Sequence, residues 1–279
     1  MNKITLVLFF LILLIGCKLG EENKELEEFI IPKAIQTDLD STKEKLTLNA
    51  SNIKYTSPQF VGKFKFNEEI NLVIDNLLNE SIEDYIHNYD SDYLDTTRLD
   101  ANGFEIYVDY EADIFTELSS FNSFYGISAK EADENENKLY YHFPIYVVNP
   151  TSKEKLFCVN GSYGIQEAKD TSEYDFWKPI EGKKANLCGV GTRWGIKVKP
   201  KEFIVILLTK YKGKTKTDLR TRLKIGESII VSKPYQGNIN QEQFQLADDD
   251  SNKNGIYYHY PEKWINWYFN TNLVTFKNN

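Results

Sequence analysis

The segment Leu139–Val148 reads LYYHFPIYVV and carries the strongest β-strand signal in the chain. Tyrosine, phenylalanine, isoleucine and valine are all enriched in strands. Pro144 lies inside the segment, and because proline cannot donate to a strand ladder it favours an edge strand or a bulge. We therefore build the predicted fold outward from a strand at residues 139–148.

Further β-rich runs lie on both sides of this segment, separated by turn signals such as Asn149-Pro150 and Asn160-Gly161. The predicted strands are Phe104–Val108, Lys155–Val159, Trp194–Val198, Phe203–Tyr211, Leu219–Ile225, Ser228–Val231 and Ile256–Tyr260. Strands at this spacing predict a mainly antiparallel sandwich or curved sheet.

Two amphipathic segments predict helices on the N-terminal side of these strands. In the first, apolar residues recur at helical spacing from Ile70 to Ile86, after a start at Asn67. The second is weaker and runs from Ile114 to Phe121. The predicted fold class is therefore α+β, mainly β, with one or two packed N-terminal helices.

Residues 1–16 predict an export signal. An apolar run from Ile4 to Ile15 follows the single charge of Lys3, and it is shorter than the roughly 20 residues that cross a bilayer as a helix. The run ends in Leu14-Ile15-Gly16-Cys17, which resembles the lipobox of bacterial lipoproteins. That resemblance implies cleavage after Gly16 and lipid attachment to the Cys17 sulfur. An ordinary secretory signal or a buried apolar strand is the alternative.

The mature chain is predicted to have two parts. Residues 17–59 are rich in charged and polar side chains, which predicts a lipidated Cys17 followed by a flexible tether. Such a coil would have an end-to-end distance of roughly 35 Å. Residues 60–279 are long enough to form a single globular ectodomain.

The cysteine count is odd, with three in the chain. If Cys17 carries lipid, Cys158 and Cys188 could form a disulfide in an oxidising compartment. By the chain-entropy argument the bond would contribute on the order of 3–4 kcal/mol. Two free thiols are the alternative.

The sequence carries no recognisable catalytic motif, so no enzymatic activity is predicted. The three histidines, His87, His142 and His259, are far apart and lack metal-ligand spacing, so no metal or cofactor is expected. The strand context of His142 and His259 favours outward or hydrogen-bonded histidines. The Gly189–Gly195 segment lacks the lysine of a phosphate loop and leads into a strand. A hydrolase whose residues are scattered along the chain is the least favoured alternative.

Residues 250–255 resemble the opening of a calcium loop, with Asp250, Asn252 and Gly255 at suitable places. The twelfth position, where a bidentate acid is needed, is Pro261. A polar loop leading into an Asn-Gly hairpin turn accounts for the same residues.

A basic stripe stands out because the whole chain has a formal net charge of −8. Ten lysines and arginines lie between Lys197 and Lys224, against Glu202 and Asp218. Its alternating members are Lys210, Lys212, Lys214, Lys216, Arg220, Arg222 and Lys224. Paired strands would place each series on one face, where it could attract sulfated polysaccharide, anionic lipid head groups or nucleic acid. We expect a host protein or sulfated glycan and no nucleic acid; a solvated face that discourages edge pairing is the alternative.

A second candidate surface is aromatic and lies near the C-terminus. Tyr257, Trp264 and Trp267 could stack on sugars or contact a protein partner. Core packing of a terminal segment explains the same rings.

The Lys/Asn/Ile/Glu usage, the lipobox and the polar tether together resemble the surface lipoproteins of Borrelia-type spirochaetes. The resemblance is specific over residues 1–17 and compositional over the rest. It implies a lipid-anchored outer-membrane protein at the cell surface that binds host ligands or acts as an antigen. Many of those proteins are helical bundles, whereas this chain is predicted to be β-rich. The alternative function is a periplasm-facing structural or assembly lipoprotein of the cell envelope.

Overall fold

A computed structural model describes residues 28–37, 39–48, 54–55, 58–64, 69–72, 101–117, 138–158, 162–170, 176–181, 195–225 and 228–248. The strands, in chain order, are β1 (Ala34–Ile35), β2 (Glu44–Leu46), β3 (Lys54–Tyr55), β4 (Pro58–Lys63), β5 (Ile70–Asn71), β6 (Glu105–Val108), β7 (Ile114–Glu117), β8 (Lys138–Asn149), β9 (Lys155–Cys158), β10 (Ser162–Asp170), β11 (Phe176–Pro179), β12 (Gly195–Val198), β13 (Glu202–Thr209), β14 (Thr215–Ile225), β15 (Ser228–Val231) and β16 (Tyr235–Ile239). A 3-10 helix follows at Gln241–Asp248.

The first sheet is organised around β8, the strand from which the sequence argument began. Its six strands run in the order β2-β8-β13-β4, with β6 and β7 also paired to β8. The pairing is antiparallel except for β2, which lies parallel to β8. The prediction of a mainly β fold is therefore confirmed, and every predicted strand except Ile256–Tyr260, which lies outside the described residues, is present.

Pro144 lies in the middle of β8, where β13 pairs along one side of the strand. Its carbonyl accepts a hydrogen bond from the Asp109 N–H, 3.2 Å away, on the other side. In an antiparallel strand the N–H and C=O of one residue point the same way, so the missing donor of Pro144 faces the break between β6 and β7. The proline is tolerated at this interruption and not at an edge or a bulge.

The second sheet also has six strands and runs in the order β11-β10-β14-β15, with β3 paired to β10 and β16 to β14. Four of its strands, β3, β10, β11 and β16, were not among those predicted from the sequence. In β10 neither face has a continuous apolar series, because glycine, glutamine and glutamate interrupt it. Period-two hydrophobicity therefore gave no signal there.

The two six-stranded sheets pack together through one hydrophobic cluster, which also takes in β9 and β12. The first sheet contributes Val61, Ile106, Phe143, Ile145, Ile204 and Ile206, and the second contributes Leu223 and Ile225. Phe157, Ile196 and Val198 come from the two-stranded sheet of β9 and β12.

The other face of the first sheet is buried as well, by residues expected to belong to a tether. Phe29 and Ala34 pack with Val205 and Leu207 of β13 in a second cluster. The Tyr146 hydroxyl donates a 2.8 Å hydrogen bond to the Pro32 carbonyl. The prediction of a flexible tether is therefore wrong for this part of residues 17–59, because the outer face of β13 offers apolar surface to cover.

Neither predicted N-terminal helix is confirmed, and the few residues of each that the structure describes lie in strands. Ile70–Asn71 is strand β5, paired in parallel with β1, and Ile114–Glu117 is strand β7, paired with β8. Ile114 and Thr116 are buried while Phe115 and Glu117 are half-buried, which is the period of two that a strand requires. Pairing with β1 and β8 outweighed the helical spacing of apolar residues. Residues 73–86 and 118–121 lie outside the described residues.

Candidate functional site

The outer face of the second sheet carries part of the predicted basic stripe. Along β14, Leu219, Thr221, Leu223 and Ile225 are buried and face the core. Arg220, Arg222 and Lys224 alternate with them and share the opposite face, so the predicted alternation of this series is confirmed.

The arginines of this series already have an acidic partner. Glu167 of β10 lies opposite Arg220 in the register and is only 1% exposed. Its carboxylate accepts hydrogen bonds from Arg220 Nε at 2.5 Å and from Arg222 Nε at 3.2 Å. The Arg220 guanidinium also lies 4.5 Å from the centroid of the Trp177 ring. A buried carboxylate thus holds both guanidinium groups in place and neutralises one of their charges.

Lys210 does not join the other lysines of its series. Its Nζ is 2.6 Å from Asp113 Oδ1 and 5.0 Å from the centroid of the Tyr110 ring. This side chain links the end of β13 to the loop between β6 and β7. The Lys210 ammonium group is therefore engaged in contacts within the fold.

Lys212 and Lys214 lie in the turn between β13 and β14, and Lys216 is the second residue of β14; all three are exposed. The turn lies close to β16. At Gly213 the two backbones approach so closely that a Cβ would lie 1.8 Å from the Ile239 carbonyl carbon. We call these three exposed residues the distal lysines.

The remaining lysines of the predicted stripe lie at the opposite end of β13. Lys197 lies in β12, and Lys199 and Lys201 are in the turn that leads from β12 into β13. The eight residues of β13 span about 26 Å between this turn and the distal lysines. The structure therefore divides the predicted stripe between two ends of the fold.

A buried polar network, which the sequence argument missed, joins the two sheets. Glu181 is 3% exposed, and its carboxylate accepts hydrogen bonds from the Gln166 N–H and side-chain amide and from the Tyr211 hydroxyl, at 2.8–2.9 Å. The Gln166 amide also donates to the Thr209 carbonyl, 2.8 Å away, at the end of β13. Glu181 is therefore a structural acceptor held by neutral donors. No spacing pattern in the sequence marks it, because Gln166 and Tyr211 lie in two other segments of the chain.

Two half-buried tyrosines, Tyr110 and Tyr235, pack close to this network. Burial raises the pKa of Tyr235 and of Tyr110 above the ordinary tyrosine value. The Tyr235 hydroxyl is 3.0 Å from the Thr221 hydroxyl. Both rings therefore act as neutral packing groups between the sheets.

His142 is a buried histidine, 1% exposed. Its Nδ1 lies 2.9 Å from the Tyr140 carbonyl oxygen and 3.2 Å from Thr116 Oγ1. Because a carbonyl only accepts, Nδ1 carries a proton. The hydrogen-bonded interpretation of this histidine is confirmed.

Among the residues that the structure describes, no group of three His, Cys, Asp or Glu side chains is placed to hold a metal ion. In that same part of the chain, no helix combines the length and the apolar character needed to cross a membrane.

Several predicted site residues lie outside the described residues. They are Cys17, Cys188, His87, His259, the loop at residues 250–255, Tyr257, Trp264 and Trp267. The backbone of Cys158 ends β9 opposite Gly195. The lipidation, disulfide, calcium-loop and aromatic-contact hypotheses stay predictions.

Comparison of the chain with protein-family models, with curated proteins and with solved structures gives no match in any of the three.

Proposed function

We propose that the chain is a non-enzymatic binding module, anchored at the cell surface by lipid on Cys17, that presents the distal lysines to anionic ligands. The lipid anchor rests on the lipobox-like segment Leu14–Cys17. The ligand class rests on one observation: Lys212, Lys214 and Lys216 are exposed together at the end of the fold away from Phe29.

The position of Phe29 sets the orientation of the module. Phe29 packs on Phe203, at the start of β13, with ring centroids 5.2 Å apart. The chain that leads back to Cys17 therefore joins the fold at this end. The distal lysines follow the other end of β13, and a lipid at Cys17 would leave them facing away from the membrane.

The charge and local structure of the distal lysines suit a sulfated glycan or an acidic patch on a host protein. Three ammonium groups on successive alternate residues give a local positive field on a chain whose net charge is −8. Gly213 packs so closely on the backbone of Ile239 that a Cβ would have no room there, so the turn lies against β16. A preformed turn lowers the ordering entropy that binding would otherwise oppose.

Chromatography on immobilised heparin tests the ligand class. A variant with Lys212→Gln, Lys214→Gln and Lys216→Gln is expected to elute at distinctly lower salt than the wild type, because fewer counterions are exchanged on binding. The matched control, Lys33→Gln with Lys45→Gln and Lys233→Gln, removes the same charge from three other exposed lysines and should elute close to the wild type. Equal elution of the two variants would overturn the assignment of the distal lysines.

Protease treatment of intact cells tests the display of the module. We expect digestion of this protein while a periplasmic control protein survives, after cleavage of the purified protein has been demonstrated. Digestion only after lysis would favour the alternative, a periplasm-facing structural or assembly lipoprotein.

A further inference from the structure

Side-chain amides line the outer face of β16. Gln236 and Asn238 alternate along this strand with Gly237 and Ile239, and Asn240 follows its end. Gly237 and Ile239 are buried and face the core, so the alternation directs the amides to the opposite face. Gln236 and Asn238 are exposed there, and Asn240 is half-buried. We call Gln236, Asn238 and Asn240 the amide row.

The amide row runs beside the distal lysines. In the register of β14 and β16, Lys216 is directly opposite Asn238. Opposed side chains of an antiparallel pair have Cβ atoms about 5 Å apart. One residue before β14, Lys214 follows Gly213, where a Cβ would lie only 2.4 Å from the Asn240 nitrogen. Lys214 and Lys216 therefore each have an asparagine of the amide row as a neighbour.

The side chains of this surface are largely open to a ligand. The distal lysines form no ion pair with an acid in the part of the chain that the structure describes, and the Asn238 amide has no hydrogen-bond partner there. Asp218 shares the outer face of β14 with Lys216, and it accepts a hydrogen bond from the Gln236 amide. The acid on this face is therefore bonded to a neutral group and not to a lysine.

The loop between β6 and β7 also carries acids, and it approaches β16 from the core side. Tyr110 of this loop would lie 3.0 Å from a Cβ placed on the core-facing Gly237. Asp113 of the same loop is 2.6 Å from the Lys210 ammonium, and Glu111 is exposed. Tyr110 and the amide row thus lie on opposite faces of β16.

The backbone beneath the amide row is ordered by a buried glutamine. The Asn240 N–H donates to the Gln243 side-chain oxygen at 2.8 Å, and the Gln243 N–H donates to the Asn240 carbonyl at 3.0 Å. Gln243 is 1% exposed, and its amide donates to the Ile180 carbonyl at 3.4 Å. A ligand that binds across both rows would therefore order little of the protein.

An ammonium group beside a side-chain amide recognises two kinds of chemical group. Lysine attracts sulfate or carboxylate as a point charge. A side-chain amide both donates and accepts hydrogen bonds, so it matches sugar hydroxyl groups, which do the same. The carboxylates of an acidic protein patch only accept, and they would leave the amide oxygens unused. The combination therefore favours an anionic sugar chain.

We propose that the amide row and the distal lysines together bind an acidic polysaccharide. The lysines hold its sulfate or carboxylate groups, and Asn238 and Asn240 form hydrogen bonds with its hydroxyl groups. The inference rests on the proposed function and narrows its ligand from anionic groups in general to a sugar chain. The lysines from Lys212 to Lys216 span at most about 13 Å, which suits a short oligosaccharide segment.

Calorimetric titration of the full chain in a non-ionic detergent tests the role of the amides. The two ligands are a heparin hexasaccharide and an inorganic polyphosphate of similar charge, which has no sugar hydroxyl groups. Asn238→Ala with Asn240→Ala should weaken heparin binding about tenfold through the loss of two hydrogen bonds. The same variant should bind polyphosphate as the wild type does, because its charge is unchanged.

Two control variants accompany this measurement. Asn102→Ala removes an exposed amide at the other end of the fold, next to Gly103, where a Cβ would meet Thr151. Both affinities should stay at the wild-type value in this variant. Replacing the three distal lysines with glutamine should weaken the binding of both ligands.

The outcomes separate this inference from the proposed function. Unchanged heparin affinity in the asparagine variant, or an equal loss for both ligands, would overturn the sugar-specific site and leave a general anion surface. A wild-type chain that binds neither ligand would contradict the proposed function itself. The denaturation midpoint of the asparagine variant should match the wild type, because Asn238 is exposed and Asn240 contacts Gln243 through its backbone.

Discussion

The two sheets share one core, but their outer faces differ in chemistry and in what covers them. On the first sheet, Phe203, Val205 and Leu207 of β13 face outward and are at most 3% exposed, because Phe29 and Ala34 lie over them. On the second sheet, the outward residues of β14 include Arg220 and Arg222, which bind the buried Glu167. One outer face is thus an apolar layer interface, and the other is a charge cluster.

The difference shows what an alternating strand pattern leaves open. Period-two alternation separates two faces but does not say whether a second layer covers the outer one. For the first sheet, Phe29 and Ala34 belong to the covering layer, so these residues are part of the packed fold. For the second sheet, an internal carboxylate partners two arginines that the sequence alone presents as open positive charge.

The largest expected change in stability comes from truncating Phe29, which packs on the outer face of the first sheet. Phe29→Ala should lower the free energy of unfolding by about 3 kcal/mol, since it deletes a buried aromatic ring that contacts four others. Urea denaturation monitored by circular dichroism measures the change. Ile30→Ala is the matched control, because Ile30 is 65% exposed and should change stability by less than about 0.5 kcal/mol. Equal midpoints for wild type and Phe29→Ala would mean that residues 28–35 are not part of the cooperative fold.

A smaller loss is expected from the charge cluster of the second sheet. Glu167→Ala should destabilise the fold by about 2 kcal/mol, because it leaves two partly buried guanidinium groups without their carboxylate. Glu154→Ala removes an exposed carboxylate 3.8 Å from Lys197 and should cost less than about 0.5 kcal/mol. The denaturant midpoints of the two variants measure this difference in stability. A Glu167→Ala protein as stable as Glu154→Ala would show that the charge cluster does not stabilise the fold.

The smallest effect concerns Tyr107, at the edge of the covered face. Burial, and next the hydrogen bond to Glu105, raise the pKa of Tyr107 to about 12, against an ordinary value of 10.0. Because the folded-state pKa is raised, the contribution of Tyr107 is complete below pH 10 and is lost as the pH rises towards 12. In an NMR titration of the tyrosine rings, Glu105→Gln should lower the Tyr107 pKa, and Phe29→Ala should lower it further by admitting water. A pKa that neither change moves would contradict both causes.

The candidate sites were predictable only in part. Arg220, Arg222 and Lys224 were placed on one face because period two is local to a strand. Their partner Glu167 was missed, since the sequence of β10 gives no alternation from which its register could be inferred. The division of the basic stripe between two ends of the fold was missed as well. The β12–β13 turn and the β13–β14 turn are close in sequence, but they lie at opposite ends of β13.

The sequence by itself determined the strands from Phe104 to Val231 that carry β-branched and aromatic residues in alternation, together with the turns between them. These features depend on short-range preferences of the backbone and on side-chain period. Only the tertiary structure decided that residues 29–35 cover the first sheet, that Ile70 and Ile114 lie in strands, and that Glu167 and Glu181 are buried acceptors. Each of these depends on a partner far away in the chain, and burial against that partner outweighs local propensity.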